Sequence, residues 1–237
     1  MTDENLTDTV AALLARVDRL EAAQAVRTLH HTYGYYLDKC LYEDVVDLFA
    51  DDADAVFLGG LYRGKGGVRR LFVERFQRRF TDGLNGPRFG FLLDHPQHQD
   101  VITVSEDGRS ARGRFRCTMQ AGLHDAAKES YPGRLSMDQW WEGGLYENEY
   151  VKEDGVWKIA RLNYRPVWHG EYGEGWAHKE PMDQFRGGLF PEDPLGPDAH
   201  LDGYGLFPDT SVFPFHYAHP VTGRQVVSAD PEAARHA

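Results

Sequence analysis

The sequence predicts an α+β fold in which N-terminal helices cover one face of a curved antiparallel sheet. Two observations carry this expectation. Apolar residues recur every three or four positions up to about residue 80, and beyond residue 89 the period falls to two. Within that second half, Asp107-Gly108 and Asp154-Gly155 each join two strand-like runs as hairpin turns.

Leu6, Val10, Leu13, Leu14, Val17 and Leu20 predict an amphipathic first helix with one narrow apolar stripe, packed on the sheet or on a second subunit. A separate helix is expected from about 22 to 40. Its inner stripe is Val26, Leu29, Tyr33, Leu37 and Cys40, and His31, Tyr35 and Asp38 share another face. Residues 42–50 read as a short helix and 53–58 as a strand. Gly59, Gly64 and Lys65 have the spacing of a phosphate-binding loop, but Gly66 stands where a Ser or Thr would hold magnesium. The expectation there is a glycine-eased turn leading into a basic amphipathic helix that ends near Phe80.

The first hairpin is expected from strands 100–105 and 111–122, the second from 140–153 and 156–168, with a polar insertion at 124–138 between them. Regular patterning stops at Gly170. The remainder holds eight of the twelve prolines and nine aromatic residues, Trp176, Phe185, Tyr204 and Phe213 among them. Disordered tails are poor in aromatics, so two units are expected: a domain over 1–169 and an extension over 170–237 that wraps this domain or a neighbouring subunit.

At 237 residues the chain can bury a core large enough to enclose a small ligand. With 41% hydrophobic residues and no apolar run of bilayer length, it reads as a soluble protein. A formal charge of −11 disfavours nucleic acid and anionic membranes as partners. The polar, acidic start MTDENLTDTV is unlike a secretory signal, so a cytoplasmic location is expected. Cys40 and Cys117 read as buried small apolar residues.

Four stretches are more specific: YGYYLDKCLYEDVVDLFADDADAVF, LYRGKGGVRRLF, DHPQHQDVITVSEDGRSARGRF and GLYENEYVKEDGVWKIARL. Together, over about residues 22–168, they resemble the SnoaL-like and scytalone dehydratase-like branch of the nuclear transport factor 2 superfamily. The resemblance implies a cone-shaped half-barrel sheet with three helices, whose open end holds a small, mostly apolar molecule. It also puts Asp38 and His95 on the positions that handle protons in that family. The family's two water-orienting tyrosines fall on Leu37 and Phe57, its second histidine near Gln120 or Ala121, and its pocket asparagine near Tyr146. An Asp-His pair in altered surroundings implies acid-base chemistry on a different substrate.

The residues themselves agree in part. Asp38 follows an apolar and aromatic helix face, where a carboxylate is costly unless it is paired or faces a cavity; a helix-end cap is the plainer role. His95 precedes Pro96, which holds it extended. Tyr35 is a third candidate proton carrier. Tyr33, Tyr146, Asn148, Trp141, Trp168 and His169 are candidate substrate contacts, Tyr146, Asn148 and Tyr150 sharing one strand face. The pairs His95/His98 and His216/His219 have no completing ligands, so no metal is expected. No Gly-x-Ser-x-Gly string or dinucleotide fingerprint occurs, and no cofactor is expected.

The functional expectation is a cofactor-independent lyase acting on a hydroxylated aromatic molecule. Through the resemblance, this extends to a γ-formaldehyde lyase that converts a lignin-derived diarylpropane diol to a stilbene. A steroid- or polyketide-type dehydratase, isomerase or cyclase is the alternative enzyme, and a non-catalytic binding module or subunit the alternative of another class. A homo-oligomer, dimer or trimer, is expected.

Overall fold

A computed structural model describes residues 3–133, 135, 138–177, 187–203 and 205–227. Phe185 and Tyr204 of the aromatic extension lie outside the described residues.

Helix α1 (Asp3–Asp38) is one helix of 36 residues, where the sequence suggested two. Nothing near Leu20 breaks it, since Leu20, Glu21 and Ala22 all favour helix. What changes there is the face. At about 100° per residue, the stripe from Leu6 to Leu20 lies opposite the stripe of Val26, Tyr33 and Leu37. Residues 5–21 are exposed throughout, and burial begins at Ala22. A phase change that resembled a helix boundary is a helix leaving its domain.

Cys40, at a φ of 53°, turns the chain into α2 (Tyr42–Asp47). Strand β1 (Phe49–Phe57) starts earlier than expected. Phe49 and Ala50 read locally as helix, but the Ile159 N–H donates to the Leu48 carbonyl and Phe49 pairs with Ile159 of a distant strand. After β2 (Gly60–Tyr62), α3 (Gly64–Arg69) continues through a wide π-helical stretch, Arg70–Gln77, into α4 (Arg78–Thr81). The glycines here serve close packing: a Cβ on Gly67 would lie 2.8 Å from the Tyr62 carbonyl carbon.

The remaining strands are β3 (Phe91–Asp94), β4 (Gln97–Val104), β5 (Ser110–Leu123), β6 (Gln139–Glu153), β7 (Val156–Glu171) and β8 (Ala199–His200). The sheet runs β3-β5-β6-β7-β1-β2-β8, with β4 also paired to β5. It is open and mixed: β1 and β7 run parallel, which corrects the all-antiparallel expectation. The long stretch of chain between them permits a parallel pairing that a tight turn forbids. Both expected hairpins form, β4 with β5 and β6 with β7.

The helices cover the inner face, and Val26, Tyr33, Phe49, Phe72, Phe115 and Ile159 meet in one core. Full burial of such a side chain contributes about 1.5–3 kcal/mol. The described part of the extension lies on the same chain. Asp198 accepts from Arg70 at 2.5 Å and β8 extends the sheet beyond β2. Further on, the Phe207 N–H donates to the Val167 carbonyl at 2.7 Å, Arg114 donates to the Pro214 carbonyl, and His216 meets Glu147 on the outer face.

Candidate active site

β3 and β4 are two halves of one edge strand on β5, interrupted at His95-Pro96. Proline cannot donate to the ladder, so the strand breaks there. Period-two alternation sends Leu93 and His95 to the inner face. The end of α1 meets this break: Asp38 Oδ1 accepts from the His95 backbone N–H at 2.7 Å and lies 3.2 Å from His95 Nδ1. Both side chains are largely buried. A carboxylate at Nδ1 favours the tautomer protonated there and leaves Nε2 as the basic nitrogen.

His95 lines a cavity of about 240 Å³ between the helices and the inner face of the sheet. Its walls are mostly aromatic and aliphatic, with Phe57, Phe72, Phe76, Trp140 and Tyr146 among them, and Arg75 and Arg79 also line it. Leu37 and Phe57, where the resemblance places water-orienting tyrosines, are apolar wall.

Glu142 is a second titratable side chain lining this cavity. It projects from β6 on the same face as Trp140 and Tyr146, directly across from His169 of β7. The Tyr164 hydroxyl donates to its Oε1 at 2.5 Å. Burial raises its carboxyl above the ordinary range, while the Tyr164 hydrogen bond and the proximity of His95 pull the other way. Gly144 makes this geometry possible, because a Cβ there would come within 2.6 Å of the Tyr164 ring. Tyr33 and Tyr146 hydrogen bond through their hydroxyls, and burial raises both phenols well above their usual value.

A buried network supports the His95 loop from behind. His30 is stacked on Phe115 with ring centroids 3.6 Å apart. Its Nδ1 faces the Tyr150 hydroxyl at 3.1 Å and the Asn148 amide nitrogen at 3.3 Å, so Nδ1 accepts. Nε2 therefore carries the proton and donates to Gln97 Oε1 at 3.0 Å. Gln97 Nε2 in turn donates to the His95 carbonyl at 2.8 Å. Burial pushes the His30 imidazole down to about 3.

The SnoaL-like domain family matches residues 18–163. The chain belongs to the SnoaL-like family. No curated protein sequence matches it significantly. Among solved structures, a hexachlorocyclohexane dehydrochlorinase from Novosphingobium barchaimii is 20% identical with a TM-score of 0.52, covering 70% of this chain and 99% of that one. A candidate scytalone dehydratase from Novosphingobium aromaticivorans is 20% identical with a TM-score of 0.51, covering 66% and 91%. At such identity the likeness is one of fold: an open α+β cone.

In this SnoaL-like chain the predicted site residues separate into two groups. Asp38, His95, Tyr33, Tyr146 and His169 come together, with Asp38 behind His95 and the other four lining the cavity. Tyr35 does not join them. It is 74% exposed on the far face of α1, one hydrophilic face away from the Tyr33 stripe. Trp141 and Trp168 meet edge to face with ring centroids 5.3 Å apart on the outer side of the sheet, because alternation turns Trp141 away when Trp140 and Glu142 face in. Asn148 lies on the inner face but is engaged by His30, Tyr150 and the Asn163 N–H, away from the cavity lining.

Sequence reasoning missed Glu142, Tyr164 and the His30–Gln97 link. The signal for Glu142 was available: extending the Tyr146 face back by twos through Gly144 reaches it. His98 bonds Thr118 and His219 caps its own turn. Among the described residues, no group of three or more His, Cys, Asp or Glu side chains could hold a metal ion. Cys40 and Cys117 are buried and free. Among the described residues, no helix is long and apolar enough to cross a membrane.

Proposed function

We propose that this SnoaL-like chain is a lyase that eliminates water from a hydroxylated aromatic molecule by paired proton transfer. The observation that carries this reading is an imidazole backed by a carboxylate, His95 with Asp38, and a buried carboxyl, Glu142, bordering one cavity rich in aromatic rings. In the reaction, His95 Nε2 removes a proton from substrate while Asp38 accepts from Nδ1 and stabilises the imidazolium that forms. Glu142 delivers its proton to the departing hydroxyl, which leaves as water, and a new carbon–carbon double bond remains. Exchange with solvent returns both groups to their starting states. The low-dielectric walls strengthen these charge interactions, and the ring faces suit a planar conjugated product.

The finer reading is a diarylpropane diol as substrate. Loss of its benzylic hydroxyl as water and of its terminal hydroxymethyl group as formaldehyde leaves a stilbene, so one acid and one base serve both steps. The aromatic walls and the tyrosine hydroxyls Tyr33, Tyr146 and Tyr164 support a phenolic ligand over a uniformly apolar one.

The test incubates the enzyme with a diarylpropane diol, and separately with steroid and polyketide-like phenols, while following conjugated absorbance and formaldehyde. Stilbene and formaldehyde are expected from the diol alone. His95→Asn should lower kcat about 10²–10⁴-fold, the range of general acid-base catalysis. Turnover of every substrate at the wild-type rate by His95→Asn would sink the mechanism. Absence of product and of any ligand-induced thermal shift would sink the assignment.

A further inference from the structure

We infer that residues 5–21 of α1 pair with the same residues of a second copy of this chain as a parallel, in-register, two-stranded coiled coil. Every residue of this segment is exposed in the protomer, and the domain's first buried helical position is Ala22. Leu6, Val10, Leu13, Val17 and Leu20 are exposed by 46 to 72%. Their spacing alternates strictly four and three, the seam of a coiled coil, with Leu14, 59% exposed, at the flanking e position. The segment spans about 25 Å and has no tertiary cover in the protomer.

The seam's composition selects the partner's number and direction. With leucine at 6, 13 and 20 as d positions, Val10 and Val17 are a positions, and β-branched a with leucine d favours two parallel strands. Arg16 then falls at g and Glu21 at the following e, five residues on, where a parallel partner sets them opposite each other in both directions. An antiparallel partner sets g against g and e against e, and separates these charges. The seam also lies opposite the stripe by which α1 packs on its own domain, so two domains fit on the outer flanks of the pair. Beyond Leu20 the next a and d positions are Gln24 and Arg27. Arg27 is committed to Asp100 at 2.7 Å and ends the seam.

Sedimentation equilibrium of the full chain tests this. Wild type should run at twice 26.9 kDa and the double variant Leu13→Glu, Val17→Glu at 26.9 kDa, with unchanged near-ultraviolet circular dichroism. A monomeric or trimeric wild type, or a double variant that stays dimeric, overturns the inference. Val10→Cys, oxidised in air, should cross-link nearly all of the protein as a dimer, since a faces a only in parallel register. A dimer without the cross-link overturns the orientation. Arg16→Glu should raise the dimer dissociation constant several-fold and Arg16→Glu, Glu21→Arg should restore it; no restoration removes the charge pairing that sets the register.

Discussion

His30 is expected to make the fold acid-sensitive well above the range where carboxylates titrate. The perturbation is a fall in pH from 8 to 5. In the unfolded chain the imidazole has its ordinary value of 6.5, and in the folded chain burial holds it near 3. A depressed value means that the stability is present above 6.5 and is lost as pH falls toward 3, because the unfolded state takes the proton first. At about 1.36 kcal/mol per pH step below 6.5, the loss between pH 8 and pH 5 is about 2 kcal/mol from this one group. The main cause is loss of solvation of the charged ring on burial, with the neighbouring His31 adding to it, and a proton on Nδ1 would also meet the Asn148 amide donor. Urea denaturation at each pH reads the effect: wild type should lose about 2 kcal/mol more than His30→Gln over this interval. Equal losses would refute the reasoning. Ring-labelled NMR provides a second reading that needs no variant, and a His30 imidazole already charged at pH 5 would refute it as well. By linkage, Asp100, lowered mainly by its hydrogen bond from Arg27, loses its stabilising contribution only below the ordinary carboxylate range, so the two windows are separable.

Two further outcomes follow from the cavity. Because burial raises the Glu142 carboxyl, its favourable contribution is complete below the unfolded value and disappears as pH rises through the folded one. Glu142→Gln should therefore raise the urea midpoint relative to wild type at pH 8 but not at pH 4, while lowering kcat; an unchanged midpoint at pH 8 argues against the burial account. Gly144→Ala should cost about 1–3 kcal/mol by overpacking against the Tyr164 ring and should lower activity by separating that hydroxyl from Glu142, as checked by denaturation and initial rates. Activity and stability both at wild-type level would show that the ring moves without consequence.

The α+β class, both hairpins and the inner stripe that holds Tyr33 were legible because they depend on periodicity, which a chain carries locally, whereas the choice of the Tyr146 face of its strand rested on the resemblance. The Asp38–His95 pairing needed the resemblance as well: neither residue's neighbours indicate the other across 57 positions, and only the break at Pro96 hints that His95 turns inward. Tyr35 illustrates the opposite limit. A tyrosine beside the pocket-facing Tyr33 is only two positions away in sequence, yet the helical turn carries it to water. Trp141 fails similarly by one residue, since a strand reverses face at each step.

The sequence by itself determined the change from helices to paired strands and the two hairpins, and it encoded the seam of α1, since each follows from the spacing of apolar side chains along one element. Tertiary structure alone decided that Phe49 and Ala50 are strand, that β1 lies parallel to β7, and that Glu142, Tyr164 and His95 share one cavity. It also decided which way His30 presents its nitrogens. These depend on contacts between residues far apart in the chain, where pairing energy outweighs local preference and burial sets which proton each group keeps.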